Sequence, residues 1–168
     1  MQNNSSSITL GSTNLTILCD DTLQPPLHSE HGFSLLVEKA GEPTVLFDTG
    51  TSDVFIKNAS TIGKNLTKVE YIVISHGHYD HAGGLKYLTN LGKKFKVHLR
   101  QDAFLPKYSG DRFTGIDWEA IKDWFEFVIV KDKLIKITNS IYAFGPARMR
   151  SKFEEPDPNF QIIKNNER

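Results

Sequence analysis

Ser75-His76-Gly77-His78-Tyr79-Asp80-His81-Ala82-Gly83-Gly84 follows directly on the apolar run Tyr71-Ile72-Val73-Ile74. The run reads as a buried strand, so three imidazoles and a carboxylate fall at its carboxyl end, where open α/β folds place their chemistry. In extended chain His76 and His78 leave the same face. Asp80 and His81 then open a new segment that can turn back toward the same point. Imidazole nitrogen and carboxylate oxygen suit zinc, iron or manganese. Without a cation, rings that titrate near neutrality would repel one another whenever protonated. The stretch is therefore read as a metal site with His76, His78, Asp80 and His81 as ligands.

Outward from this motif, short apolar runs alternate with turn signals. Strands are expected at 15–19, 33–38, 44–47, 71–74, 95–99, 127–130, 134–137 and 140–144, with a last one in the tail from Gln161. Ala40-Gly41-Glu42-Pro43 reads as a hairpin turn. Ser52 or Asp53 can cap a short helix through Val54, Phe55 and Ala59. A second helix is expected through Leu85, Leu88 and Leu91, and a third over 117–124, which has an acidic start and helical spacing. The sum is an antiparallel-rich sheet with helices on it, an α/β layered fold.

At 168 residues the chain is long enough for one domain with a real core. Residues 1–7 are polar, are expected to be disordered, and lack the regions of a signal peptide. Twenty basic and twenty acidic residues balance, which argues against a nucleic-acid partner. No apolar run reaches membrane-spanning length. Cys19 is the only cysteine; it excludes an internal disulfide and fits a reducing, cytoplasmic setting.

The pattern His76-x-His78-x-Asp80-His81 after a strand, with Asp48-Thr49-Gly50 after an earlier one, resembles the metallo-β-lactamase superfamily. Residues 30–37, 45–50, 76–85 and 153–160 resemble its branch of archaeal dihydropterin-linked aminobenzene-phosphate synthases. The resemblance implies an αβ/βα sandwich. It implies that His76 and His78 bind a first metal, zinc before iron or manganese, and that Asp80 and His81 bind a second. In a one-metal enzyme Asp80 would instead act on the water as the catalytic carboxylate. Asp48 would orient a ligand imidazole, as outer-shell oxygens do, or cap its own turn. His31 and Tyr79 are candidates for substrate contact, while His28 and His98 have no support from the motif. A metal-activated hydroxide would attack a phosphate ester or carbonyl centre, on a small molecule such as a phosphorylated pterin. Thioester or lactone hydrolysis is the further alternative. Specificity would lie in loops 22–31 and 101–115, the second carrying Phe104, Tyr108, Arg112 and Phe113.

Two complete zinc sites need about six ligands, and the motif supplies four. The family's later histidine, aspartate and final histidine have no counterpart here, since His98 is the only histidine beyond His81. The chain thus resembles the N-terminal, αβ half of the sandwich. Either a homo-oligomer or a complementing C-terminal-half chain completes an enzyme, or the chain is a truncated or non-catalytic metal-binding or interaction subunit. Half a sandwich leaves one apolar sheet face open, which ordinarily marks an interface.

Overall fold

A computed structural model describes residues 12–131, 133–145, 153 and 158–164. The expectation of disorder over residues 1–7 and most of the 153–160 stretch lie outside these residues. In chain order the elements are β1 (Thr13–Cys19), β2 (Ser34–Lys39), β3 (Thr44–Phe47), α1 (Val54–Thr61), β4 (Val69–Val73), α2 (Tyr79–Ala82), α3 (Leu85–Leu88) and β5 (Phe95–Leu99). They continue with β6 (Lys107–Ser109), β7 (Arg112–Phe113), β8 (Phe125–Ile129), β9 (Leu134–Lys136), β10 (Tyr142–Phe144) and β11 (Phe160–Ile162).

The main sheet runs β1-β2-β3-β4-β5-β8. Its β1–β2 and β2–β3 pairs are antiparallel, while β3–β4, β4–β5 and β5–β8 are parallel. The main sheet is therefore mixed rather than antiparallel-rich. The reason is connectivity: parallel neighbours need crossovers, and α1 and then α2–α3 fill the links between β3, β4 and β5. Leu36, Leu46, Ile72 and Val97 stand in one row across the sheet. They bury against Phe55 and Ala59 of α1, Ala82, and Leu85 and Leu88 of α3. Asn58, also buried, ties α1 to the chain before it through Leu18 O (2.9 Å), His28 O (2.8 Å) and His28 N (2.9 Å). At the start of α1 the Ser52 hydroxyl accepts Val54 N at 3.3 Å, while Asp53 holds the cap position with its carbonyl, accepting Ile56 N (3.0 Å) and Lys57 N (3.1 Å), and makes no side-chain cap bond.

The expected helix over 117–124 does not form. Asp117 Oδ1 accepts Ala120 N at 3.2 Å in a local turn, and only Lys122–Trp124 makes a 3₁₀ turn. Trp118 and Ile121 are nonetheless buried, because the turn closed by Ile121 N on Trp118 O (3.2 Å) brings residues three apart to the same side. The helix through Leu85, Leu88 and Leu91 likewise gives way to a 3₁₀ turn at Thr89–Leu91. Loop 101–115 holds β6 and β7, which form a small sheet in the order β11-β6-β7.

The sheet face away from the helices carries the row Ile17, Leu35, Phe47, Val73 and His98. The β9–β10 hairpin lies over part of it. Its turn is fastened by the Glu42 carboxylate, which accepts from the Thr138 hydroxyl, Ser140 N (3.0 Å) and Ser140 Oγ (2.7 Å). These hydroxyls, with Lys39, pull the Glu42 carboxyl down to about 2. A cavity of about 660 Å³ remains between hairpin and sheet, walled by Phe47, Val73, Ile137 and Tyr142 and reaching Ser75 and His76. Leu15, Ile17, Leu134 and Phe144 stay exposed on strands of the main sheet and hairpin. Among the described residues no helix is long and apolar enough to cross a membrane.

Candidate metal centre

Strand β4 ends at Val73, and the chain from Ser75 to His78 leaves it as a loop before α2. Gly77 makes this path tolerable: a Cβ there would stand 2.0 Å from the carbonyl oxygen of Ala103. That carbonyl is itself held at 3.0 Å by the Nζ of Lys107, a buried lysine that also donates to Asp102 O and Leu105 O. From the other side, Phe33 N donates to Asp80 O at 3.2 Å. Gly32, at φ 142°, permits the approach, since its Cβ would lie 2.3 Å from the same oxygen.

The motif histidines gather. The rings of His76 and His81 are 4.2 Å apart by centroid and those of His76 and His78 are 4.8 Å apart, edge to face. Asp80 Oδ2 lies 3.5 Å from His81 Nε2 and 3.4 Å from His31 Nε2. Asp48, buried at the end of β3 and in the left-handed region at φ 56°, reaches across to the motif. Its Oδ1 accepts Ser75 N at 2.8 Å, and its Oδ2 accepts the Ser75 hydroxyl at 2.7 Å and faces His81 Nδ1 at 2.7 Å. Ser75 Oγ also lies 2.9 Å from His76 Nδ1. Asp48 and Ser75 thus engage one nitrogen each of His81 and His76, leaving the Nε2 atoms as the ligand-capable ones. The Asp-Thr-Gly turn is docked by Thr49 N on His81 O at 2.7 Å and by Gly84 N on Gly50 O at 2.9 Å.

Burial, reinforced by the neighbouring His81 and His78, pushes His76 down to about 4. Burial also lowers His78, with Lys107 and His81 adding to it against Asp80. In His81 burial pulls downward, but the hydrogen bond and charge of Asp48, with Asp80, outweigh it and raise the ring. His76 is therefore neutral at pH 7, the protonation state a metal requires.

The donors suit a zinc-like ion in kind and proximity. Among the described residues, however, no three His, Cys, Asp or Glu groups stand as a ready metal-holding set. Crowded rings and an Asp80 shared between two imidazoles describe the arrangement as it stands.

His31 and Tyr79 lie beside this cluster. His31 is largely exposed, with Nδ1 3.0 Å from Asp21 Oδ1. Tyr79 begins α2, its ring 6.4 Å from that of His31. His28 meets Asn58 by its backbone, and His98 packs edge-on to Tyr71 in the sheet. Phe104 belongs to the core, 4.8 Å from Trp118 and 5.4 Å from Phe127. Ser75, Lys107 and Asp21 were not singled out from sequence; only Ser75, a hydroxyl between strand and motif, carried a local sign.

A mixed sheet whose strand ends present His-x-His-x-Asp-His, backed by a buried aspartate from the adjoining strand, defines a hydrolase-like α/β architecture. The metallo-β-lactamase superfamily pattern matches residues 30–158, and the chain belongs to that superfamily. Members generally bind metal ions, often zinc. Two proteins of Methanocaldococcus jannaschii are similar. An uncharacterised one is 35% identical over 92% of this chain and 60% of its own length. The other, 7,8-dihydropterin-6-methyl-4-(β-D-ribofuranosyl)-aminobenzene-5'-phosphate synthase, is 36% identical over 83% of this chain and 52% of its own. A crystal structure of a metal-dependent hydrolase of the β-lactamase superfamily superposes with TM-score 0.80 and 41% identity, over 93% of this chain and 56% of that one. The chain thus spans between about half and three fifths of the length of the relatives it matches.

Proposed function

We propose that the chain carries the metal-binding part of a metal-dependent hydrolase or related transferase acting at a phosphate ester or carbonyl centre. The observation that carries this reading is the gathering of His76, His78 and His81 around one another, with Asp80 beside them and Asp48 behind. His76 and His78 would hold a first ion and Asp80 and His81 a second; in a one-ion site Asp80 would instead act on the water. A bound metal of this kind acidifies water and polarises the substrate oxygen. Asp48 holds the His81 proton at Nδ1 and orients the ring, Ser75 does the same service for His76, and Asp80 Oδ2 is placed to hold or pass a proton. The synthase relative supports a phosphorylated, pterin-like small molecule as substrate, and zinc as first choice over iron or manganese follows from the donor set. A cytoplasmic setting belongs to the same proposal, since a single cysteine with no internal disulfide fits a reducing compartment. The purified chain is expected to retain metal through gel filtration, and the chain with its site completed to hydrolyse a phosphodiester or thioester model substrate. Metal that washes out with no turnover would sink the reading.

A second reading concerns assembly. Leu15, Ile17, Leu134 and Phe144 are 44–80% exposed, and apolar area of this kind marks a contact surface. We propose that another polypeptide layer, from a second copy or a complementing chain, covers this face and completes the site. Without it the chain would be a metal-binding subunit lacking turnover. Sedimentation at micromolar concentration should find oligomers; a stable, well-folded monomer would overturn the assembly reading.

A further inference from the structure

We infer that Arg112 and Phe160 form a recognition wall beside the motif that selects a phosphate monoester attached to a ring. The inference rests on the reading above that substrate reaches the histidine cluster. Arg112 sits on β7 with its guanidinium carbon 5.3 Å from the Tyr79 ring centroid, and its Nη2 donates to the Tyr79 hydroxyl at 3.2 Å. Tyr79 lies between His78 and Asp80 in sequence, and its backbone N–H donates to Thr114 O at 2.9 Å. The strand bearing Arg112 is therefore stitched to the motif itself. Beyond Tyr79 comes His31, whose Nε2 is 3.4 Å from Asp80 Oδ2. Phe160, on β11, lies 5.3 Å from His78. Both wall residues ride on the same small sheet, β11-β6-β7, and reach two consecutive residues of the motif.

A guanidinium has five N–H donors in a planar fork suited to two phosphate oxygens. Here one donor is used on Tyr79, and among the described residues no carboxylate forms an ion pair with Arg112. Asp80 Oδ2, the motif carboxylate, lies against His31 Nε2 at 3.4 Å and His81 Nε2 at 3.5 Å rather than against Arg112. The hydrogen bond to the Tyr79 hydroxyl and the nearby Tyr79 ring anchor the guanidinium before a ligand arrives, and the half-exposed Phe160 ring lies next to His78. The competing explanation is a surface cation–π pair that only braces β7 against α2.

The two separate by binding to the purified chain at matched metal content, measured by calorimetry with phenyl phosphate, inorganic phosphate and phenol. Arg112→Gln is expected to weaken both phosphates roughly tenfold or more, the scale of losing a charge-assisted hydrogen bond, and to leave phenol unchanged. Arg112→Lys should fall between, since it keeps charge but not the fork. Phe160→Ala should weaken phenyl phosphate and phenol while sparing inorganic phosphate. Unchanged phosphate affinity in Arg112→Gln, or a parallel loss of phenol binding, would overturn the inference. Absence of turnover in the wild type with its site completed, alongside Arg112-dependent phosphate binding, would count against the hydrolase reading alone.

Discussion

Replacing His76 and His78 together by alanine is expected to abolish tight metal binding while leaving the fold intact. The two rings leave a loop rather than a strand, and they pack chiefly against each other, His81 and Phe160. Neither belongs to the hydrophobic core around Leu46, Ile72 and Leu85. Removing them takes away two of four proposed donors and also relieves the crowding that, with burial, drives His76 down to about 4. The metal-free melting temperature should therefore move by only a few degrees, since both rings are part-exposed and outside the core, at a cost of about 1 kcal/mol. Metal affinity should fall by more than about 100-fold, since loss of outer partners alone costs 10–100-fold. Metal analysis after gel filtration, with circular dichroism on the same samples, checks both parts. Full metal retention in the double variant would remove His76 and His78 from the ligand set.

The motif was legible because its chemistry is local: four donor side chains within six residues need no tertiary information to be noticed. Strands β3 and β5 were legible as well, since Thr44–Phe47 is a β-branched and apolar run after Pro43, and Phe95–Leu99 alternates apolar with polar after the Gly92-Lys93-Lys94 turn. Parallel pairing was not legible from β-propensity, which says nothing about direction; the intervening helices decide it. The stretch 117–124 misled because Trp118 and Ile121 bury at a spacing that two helix types and a turn all satisfy. Within the site, the Asp48–His81 contact spans 33 residues, and what pointed to it was the resemblance of the Asp48-Thr49-Gly50 turn to the family's, not any local pattern. Lys107 gave no sign at all, because its partners are backbone carbonyls, which every sequence has.

Asp48→Ala is expected to be the most damaging single change at the site, in stability and in metal binding alike. The carboxylate is 1% exposed and meets Ser75 N, Ser75 Oγ and His81 Nδ1 within 2.8 Å. Removing one partner of a buried charged network costs about 3–5 kcal/mol. Alanine is also strained at φ 56°, where aspartate and asparagine are the better-tolerated residues. At this chain length, a melting temperature lower by roughly 10 °C follows. Asp48→Asn keeps the backbone tolerance and an acceptor, so it should lose less stability while still weakening metal about 10–100-fold through the misdirected imidazole. The two variants also differ from wild type in titration. In the metal-free wild type His81 is raised above its ordinary value because Asp48 outweighs burial. A raised histidine contributes stability that is complete below the unfolded value near 6.5 and is lost as pH rises through the folded value. Without the Asp48 charge, burial is left opposed mainly by Asp80, so His81 should titrate lower and this source of pH dependence should shrink. An NMR titration of His81 in the three proteins measures this directly. An unmoved His81 in Asp48→Ala would mean that the 2.7 Å contact does not govern the ring, and with it the orienting role of Asp48 would fall.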